Sequence, residues 1–391
     1  MKFRNSKQKK EKVVLINRGF WPENDVPGEA LLVLSESLAM DFNTNVLTQS
    51  NINLQQKCRS LGRAIEVNIK TCKLLTNSKS RVFYRAIESI YFSLWVLVKL
   101  FVIRPKFIYV STDPPLLVPF TVYIFSRLFN TKYTYHLQDI HPEASNIIIK
   151  IPKIIVNILK KMDSIVLKNA SSVVTITNDM ADYIICNRKI SKNVFLLENA
   201  SAYPVLKKDK VLNTVIFSGN FGRLQEIPLL LSAIEQYLEE GGKLKFTFMG
   251  SGIYVNKINM LANRFENVNY IGYLKMKEAI EVISQHEWGL VSINSQVLKY
   301  AFPSKTSTYI AADCKIIAIC KKNTSLEKWI KSNDRGFVSN PNLESIKSLF
   351  VRIESGNCVI ENNHSKISNY DYSFNFFSKK LKNIIIKNKF S

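Results

Sequence analysis

The sequence predicts an α/β protein of two domains, in which helices wrap mostly parallel sheets. The chain has 391 residues, and because one hydrophobic core stops growing below that length, two domains are expected. Strands alternate with helices in the second half, as FTFMGSG at 246–252 and NYIGYL at 269–274 indicate. Loops at the carboxyl ends of such strands form ligand sites, so functional residues are expected there.

The first strand of the second half, Val215 to Ser218, leads into a turn of small residues that suits an anion. Gly219, Asn220 and Gly222 form this turn, and small residues allow backbone amides to approach a phosphate closely. Arg223 adds a forked and permanently charged donor. This turn is therefore a candidate phosphate site.

A second candidate phosphate site opens the stretch from Tyr300 to Cys320, where a helix start leads into a buried strand. Pro303 cannot donate a backbone hydrogen bond, and Ser304 is a good N-cap. Lys305 brings a cation to a helix end that already attracts anions. The alternative is an ordinary capped helix with one exposed lysine.

Composition gives no sign of a metal centre or a disulfide framework. The six cysteines include no Cys-x-x-Cys pair, and only four histidines are present, so neither a zinc site nor a set of disulfides is predicted. The opening MKFRNSKQKKEK leads into a short strand rather than an apolar signal core. We therefore expect a cytoplasmic location.

The formal net charge of +23 arises from 54 basic and 31 acidic residues. Such an excess attracts nucleic acid, anionic membranes or polyanionic substrates. The sequence shows neither a nucleic-acid-binding motif nor a concentrated basic patch, so a nucleic-acid partner is not predicted.

Two segments of the first half favour an anionic membrane surface as a partner. In residues 150–168, isoleucines recur at helical spacing on one side and lysines on the other, a pattern that also fits a helix packed on a sheet. Residues 81–104 contain an apolar run that is rather short for a membrane span and has basic ends. With Tyr91, Phe92 and Trp95, this second segment is expected to attach peripherally to a membrane.

Four motifs in the second half, SGNFGR, MGSG, YIGYL and FPSKTSTYIAAD, resemble the nucleotide-sugar half of retaining bacterial glycosyltransferases of family 4. Together with Gln-Asp-x-x-Pro-Glu at 138–143, they look most like the subgroup that adds N-acetylated deoxy sugars, such as fucosamine, during O-antigen or capsule assembly. The resemblance spans nearly the whole chain. Comparable segments of the first half lie at 13–40, 108–119, 135–145, 173–184 and 196–200.

This resemblance implies the GT-B architecture, in which two facing Rossmann-like domains enclose a reaction cleft. It implies an acceptor-binding domain over residues 1–203, a nucleotide-sugar-binding domain over 204–369, and a C-terminal helix over 370–391 that crosses back to the first domain. The domain boundary is expected near Tyr203 and Pro204.

The same resemblance implies a retaining, metal-independent transferase that needs no cofactor. Its donor would be a nucleotide-diphosphate sugar, with uridine as the expected base, and its acceptor a polyprenyl-diphosphate-linked saccharide. We expect it at the cytoplasmic face of the inner membrane. Departure of the diphosphate builds negative charge on its oxygens, so catalysis would need preorganised hydrogen-bond donors and cations more than a strong nucleophile.

Residue roles also follow from the resemblance. The candidate catalytic residues are Asp139, Arg223 and Lys305. The candidate nucleotide-sugar-binding residues are Gly219, Asn220, Arg223, Gly252, Gly272, Ser304, Lys305 and Thr308. The candidate acceptor-binding residues are Gly28, Asp139, His141 and Glu143.

Alternatives stay open for several of these residues. Asp139 is equally suited to cap the following helix, and a histidine before proline, such as His141, is more often a loop-packing residue than a base. Thr308 and Tyr300 stand where many family members have glutamates, and Asp313 stands at a turn where they have glycine. Two other functions are therefore kept: a nucleotide-sugar epimerase, which would need acid and base residues facing the sugar, and a non-catalytic subunit.

Overall fold

The computed structural model describes residues 10–24, 26–76, 82–190, 193–201, 209–357 and 371–387. Within these ranges the chain forms two parallel β-sheets, each with apolar cores on both faces. The predicted α/β class with two Rossmann-like domains is confirmed. The predicted boundary near Tyr203 and Pro204 lies outside the described residues.

The described residues of the first domain form seven strands and seven helices. The strands are β1 (Lys12–Ile16), β2 (Asn43–Gln49), β3 (Asn68–Cys72), β4 (Phe107–Ser111), β5 (Lys132–Leu137), β6 (Ser172–Thr175) and β7 (Val194–Leu196). The helices are α1 (Val26–Ala39), α2 (Leu54–Ser60), α3 (Val82–Ile103), α4 (Leu117–Phe129), α5 (Glu143–Ile148), α6 (Lys153–Asn169) and α7 (Asn178–Arg188). The sheet order is β3-β2-β1-β4-β5-β6-β7, and adjacent strands are parallel.

The second domain is built in the same way around six strands. The strands are β8 (Val211–Asn220), β9 (Lys245–Ser251), β10 (Val268–Gly272), β11 (His286–Ser292), β12 (Lys315–Ile319) and β13 (Gly336–Ser339). Its helices are α8 (Ile227–Glu239), α9 (Val255–Arg264), α10 (Met276–Ile283), α11 (Lys305–Ala311), α12 (Ser325–Asn333) and α13 (Leu343–Glu354). The sheet order is β10-β9-β8-β11-β12-β13, and α14 (Phe374–Lys387) packs against α1 of the first domain.

Both sheets reverse their strand order at one point, between β1 and β4 in the first and between β8 and β11 in the second. Ligands of open α/β sheets bind outside the carboxyl ends of strands at such a reversal. Central strands such as β1 (KVVLI) and β12 (KIIAI) are nearly continuous apolar runs because helices cover both faces. The fold thus directs the carboxyl-end loops of β8 and β11 toward a ligand site.

Helix α3 is the described segment that is long and apolar enough, by length and composition, to cross a membrane, so the expectation of a run too short for a span is wrong. One side of α3 belongs to the core of the first domain, since Phe92, Val96 and Leu100 are fully buried. Phe92 is therefore a core residue and not the membrane-facing aromatic that the sequence predicted. Residues 150–168, predicted as an amphipathic helix, form most of α6, which buries Val166 and Leu167 in the same core.

Candidate active site

A cleft of about 550 Å³ lies between the two domains. The second domain contributes the end of β8 with Gly219 and Asn220, the residues after β11, and the start of α11. The first domain contributes the loop after β5 and the first turns of α1, and Phe377 of α14 completes the wall. A pocket of this size between domains is typical of a small-molecule site.

The strongest chemical feature of the cleft is Lys305, which begins α11. Its Nζ is shielded from solvent, has no hydrogen-bond partner and lies 3.6 Å from the centroid of the Phe217 ring. Burial lowers the pKa of Lys305 to about 7, because an enclosed ammonium without a counter-ion is poorly solvated. A Cβ at Gly219 would lie 3.8 Å from the same Nζ. The two candidate phosphate sites of the sequence therefore form one corner of the cleft.

Two neutral polar side chains also line the cleft, and neither was predicted from the sequence. Gln225 Oε1 and Ser292 Oγ are buried without a hydrogen-bond partner, and both residues line the cleft. Ser292 ends β11, and Gln225 lies in the 3-10 turn after β8. In the sequence, the one signal for Ser292 is a polar residue at the end of an apolar run. Because unpaired buried polar atoms are rare in folded proteins, these atoms and Lys305 indicate a site for a polar, anionic ligand.

Glycines bring the ends of β8 and β9 together next to this corner. A Cβ at Gly250 would lie 1.9 Å from the carbonyl oxygen of Gly219, and one at Gly252 would lie 2.5 Å from that of Phe221. Only glycine fits at these two positions. Gly272 instead has a φ of +75° and open space around it, and it lies outside the lining of the cleft. Nucleotide binding by Gly252 and Gly272 stays a prediction.

On the opposite wall, Asp139 follows β5 and lines the cleft. Burial raises its pKa to about 6, and the charge of nearby Asp113 acts in the same direction. Helix α5 begins at Glu143 and has Pro142 as its N-cap, without a side-chain capping bond. The structure therefore excludes the alternative in which Asp139 caps that helix.

The main chain at Asp139 also joins the two domains. Asp139 forms an antiparallel bridge with Ala301, and the amide of Ile140 donates to the carbonyl oxygen of Tyr300 at 2.7 Å. The loop after β5 is thus held directly against the segment that leads to Lys305. The carboxylate and the lysine consequently face one cleft from opposite domains.

His141 and Glu143 lie behind the wall of the cleft rather than in its lining. His141 Nδ1 is 2.8 Å from Ser145 Oγ, and burial lowers the pKa of this histidine to about 4. The Glu143 carboxylate accepts hydrogen bonds from Arg188 Nη2 at 2.8 Å and from the Tyr183 hydroxyl at 2.6 Å. These contacts fix the loop, and a direct contact of either residue with an acceptor stays a prediction.

The remaining predicted site residues differ in whether they line the cleft. Gly28 is buried in α1, where a Cβ would lie 2.7 Å from the backbone nitrogen of Trp21, so glycine here permits helix–loop packing. Arg223 lies in the turn after β8, outside the lining of the cleft. Ser304 and Thr308 do line it, although Ser304 occupies the N-cap position without a side-chain capping bond.

The charged groups of the cleft are few. Of the described residues that line it, Lys305 is the one basic and Asp139 the one acidic residue. The described part of the chain contains no group of three or more histidine, cysteine, aspartate or glutamate residues that could hold a metal ion. The arrangement can bind an anion on one wall and orient a hydroxyl group on the other.

Comparison with known proteins gives relatives in sequence and in fold, although no family model matches the chain. A protein named as a probable glycosyltransferase, WbjE of Pseudomonas aeruginosa, is 26% identical over 292 residues, which cover 69% of this chain and 72% of that protein. A glycosyltransferase of Rickettsia africae has a solved structure that superposes with a TM-score of 0.67 at 14% identity, covering 97% of this chain and 99% of the other. The chain has the GT-B fold.

Other GT-B proteins with different ligands or reactions share this architecture. HepE of Anabaena, solved in complex with UDP, superposes with a TM-score of 0.58 at 11% identity, and the match covers 97% of both chains. A Listeria monocytogenes protein described as a UDP-N-acetylglucosamine 2-epimerase superposes with a TM-score of 0.61 at 10% identity, covering 95% of this chain and 94% of the other. At these identities the structures show a common fold, and the function of this GT-B chain has to be argued from its own cleft.

Proposed function

We propose that this GT-B protein is a retaining glycosyltransferase of family 4. In this proposal it transfers a sugar, N-acetylated, from a UDP-sugar to a polyprenyl-diphosphate-linked saccharide during O-antigen or capsular polysaccharide assembly. The observation that carries the proposal is the buried and unpaired Nζ of Lys305 beside Gly219 at the end of β8. A diphosphate is the ligand chemistry that such a corner favours, because it would supply the missing counter-charge and accept hydrogen bonds.

The reaction that we propose breaks the bond between the anomeric carbon and the diphosphate oxygen and forms a bond to an acceptor hydroxyl oxygen on the same face. The departing diphosphate takes the hydroxyl proton, so no dedicated base is required. Lys305 offsets the charge that develops on the leaving oxygens, and a shielded site strengthens this effect. Asp139, which lines the same cleft from the first domain, orients the acceptor hydroxyl or the donor sugar.

The sequence relative and the GT-B neighbours support the donor class. WbjE is named as a glycosyltransferase, and HepE was solved with UDP, the nucleotide that we assign to this chain. For the acceptor, we propose a lipid-linked saccharide at the cytoplasmic face of the inner membrane, reached by a peripherally attached enzyme. The basic and apolar helices of the first domain support this location.

A nucleotide-sugar epimerase is the second candidate, favoured by the Listeria monocytogenes neighbour of the same fold. Epimerisation needs acid and base groups that face the sugar. Asp139 is the one carboxylate among the described residues that line the cleft, which supports transfer over epimerisation. A non-catalytic subunit is the third candidate, and its support is limited to the departures at Thr308 and Tyr300 from the resembled family.

Thermal unfolding with a panel of nucleotides and nucleotide sugars tests the donor site, since a ligand that binds only the native state raises the midpoint. We expect UDP and UDP-N-acetyl sugars to stabilise the wild type, and Lys305→Met to abolish this effect. Lys322→Met, at an exposed lysine of the same domain, is the matched control and should leave it unchanged. If none of the nucleotides stabilises the protein, the transferase proposal fails and a non-catalytic subunit becomes the conclusion.

A second measurement separates transfer from epimerisation. The purified protein is incubated with UDP-N-acetylglucosamine alone, and the sugar is followed by NMR. A change in stereochemistry at the sugar without any acceptor would establish the epimerase. An unchanged sugar, combined with transfer to lipid-linked saccharides that Asp139→Asn reduces, supports the transferase.

A further inference from the structure

A continuous apolar surface covers the outer side of α3, α4 and α6. Among the described residues, thirty large hydrophobic side chains are exposed, and nine of them lie on α3 alone. Two more lie on α4, and six lie between residues 148 and 165. These helices pack side by side on one side of the first sheet, so their outward sides form a single surface, which we call the outer face.

The exposed side chains on α3 follow the helix from end to end. Leu94, Val98 and Val102 are 60%, 58% and 71% exposed and continue a stripe that starts at Phe83. A helix of 22 residues is about 33 Å long at 1.5 Å per residue. Because the opposite side of α3 is buried in the core, the helix lies flat on the domain. It can enter the interface of a bilayer but cannot cross the bilayer without leaving the core.

The charges of the outer face have one sign. Residues 82–106, 117–132 and 148–168 contain eleven basic and two acidic residues. Both acidic residues, Glu88 and Asp163, are buried at 2% exposure, and each is engaged: Glu88 accepts backbone amide hydrogen bonds from 75 and 76, and Asp163 pairs with Arg188. The exposed charges of these segments are therefore basic, as an anionic lipid surface requires.

This charge pattern also selects among occupants of the outer face. A second copy of the chain, docked face to face, would place like charges against one another, which is unfavourable. Basic groups of α3 and of the residue that follows it are also combined with aromatic rings, as a membrane interface favours. Arg104 lies 4.1 Å from the ring centroid of Phe129, and Lys99 lies 5.5 Å from that of Trp95.

The outer face reaches the acceptor side of the cleft. Helix α5 begins at Glu143, four residues after the cleft-lining Asp139, and ends where the exposed Ile148 and Ile149 begin. Ile147 packs against the core of the second domain. The apolar surface thus starts at the rim of the cleft and extends over α6 and α4 to α3.

We propose that the outer face docks flat on an anionic bilayer, so that a lipid-linked acceptor enters the cleft past α5 and α6. The role of the acceptor rests on the proposed function, whereas the docking itself rests on the exposed apolar and basic residues. The two parts are tested separately.

Vesicle flotation tests the docking with the full-length protein. We expect the wild type to float with vesicles of phosphatidylglycerol and phosphatidylethanolamine and to stay unbound with phosphatidylcholine vesicles. The triple variant Leu94→Ser, Val98→Ser, Val102→Ser should lower the bound fraction at least about tenfold, because it removes exposed apolar area without opening the core. The matched control places serine at Leu212, Met260 and Val351, which are equally exposed side chains of the second domain.

The electrostatic part is tested by charge reversal. Lys153→Glu with Lys161→Glu should weaken flotation about tenfold or more, whereas Lys257→Glu with Lys322→Glu, at exposed lysines of the second domain, should not. An equal loss of flotation in the two double variants would overturn docking through the outer face. Wild-type protein that stays with the unbound fraction would also overturn it, as would a dimer in light scattering that the triple serine variant dissociates.

The same variants separate docking from catalysis. The triple serine variant should keep its stabilisation by UDP and its transfer to an acceptor presented in detergent, while losing transfer to acceptor embedded in anionic vesicles. If the wild type floats but shows neither UDP stabilisation nor transfer, the proposed function fails and the docking stands. If transfer in vesicles is equal for the wild type and the triple variant, docking through the outer face is wrong while the transferase stands.

Discussion

Replacing Lys305 by methionine should stabilise the unliganded protein while abolishing donor binding. Methionine keeps the length and packing of the side chain but removes an ammonium that is buried, unpaired and seated on the Phe217 ring. A residue selected for stability alone would not place an unpaired charge there. The perturbation therefore separates the cost of the lysine in the free protein from its use with a ligand.

The magnitude follows from the pKa of Lys305. Its fall from 10.5 to about 7 corresponds to roughly 5 kcal/mol, at about 1.4 kcal/mol for each tenfold change in proton affinity. This pKa includes every interaction of the charged side chain, the contact with the Phe217 ring among them. The expected gain in the free energy of unfolding at pH 6 is therefore roughly 5 kcal/mol, or several degrees in the midpoint of thermal unfolding.

The sign of the pH dependence is also fixed. The unfolded chain holds the lysine proton up to pH 10.5, whereas the folded chain releases it at about pH 7. Between these values the unfolded state binds more protons, so the stability of the wild type rises with pH relative to the variant, by up to about 1.4 kcal/mol per pH unit. Below pH 7 the full cost of the buried charge is present.

Thermal unfolding of the wild type, Lys305→Met and the control Lys322→Met over pH 6 to 10 measures both effects. We expect the advantage of Lys305→Met to be largest at pH 6 and to vanish near pH 10.5, with no such trend in the control. A variant that is no more stable than the wild type at pH 6, or an advantage independent of pH, would refute the reasoning.

Three further outcomes are expected. The affinity for UDP should fall about tenfold per pH unit above pH 7, because the anion needs the protonated lysine. Titration calorimetry at pH 7, 8 and 9 measures this affinity, and a value that does not change with pH would contradict the prediction. Gly250→Ala should lower the free energy of unfolding by denaturant by more than about 4 kcal/mol, because the added Cβ would clash with the main chain. Gly272→Ala, in open space, should lower it by only about 1 kcal/mol, because of the positive φ at this position. Equal losses for the two variants would contradict this prediction. In the same measurement, Glu143→Gln should lower the free energy of unfolding by about 3 to 5 kcal/mol, because it leaves buried Arg188 partly unpaired. The control Lys328→Met, which breaks a solvent-exposed pair, should lower it by less than about 1 kcal/mol. A small loss at Glu143 would show that its ion pair adds little stability.

Local sequence patterns predicted many of the elements of the second domain. The strand at Val215 and the helix start at Lys305 were predicted, because strand runs and helix starts are encoded by neighbouring residues. Gly219 and Asn220, which were predicted as a turn, are instead the last two residues of β8. Gln225 and Ser292 were missed, and Gly250 was noted only as part of the MGSG motif. Each of them matters through a contact or an unpaired atom that exists only after β8, β9, β11 and α11 have come together.

In the first domain the types of residue were informative, but their roles were not. The carboxylates at Asp139 and Glu143 lie in one short segment, and a sequence pattern treats them alike. In the structure the first lines the cleft, while the second is held by Arg188 of α7. Which carboxylate faces the cleft depends on how α5 and α7 pack, and this information is not local.

By itself, the sequence determined the two-domain α/β class, the apolar run that became α3 and the amphipathic character of the segment that became α6, and it proposed two candidate phosphate sites, because these features depend on residues close together in the chain. Only the tertiary structure decided that both candidate sites meet at one corner, that Lys305 is left there without a counter-charge, and that the exposed sides of α3, α4 and α6 join into one surface. Burial and pairing depend on which distant segments the fold brings into contact, and these determine where a charge is costly and where an apolar side chain stays exposed.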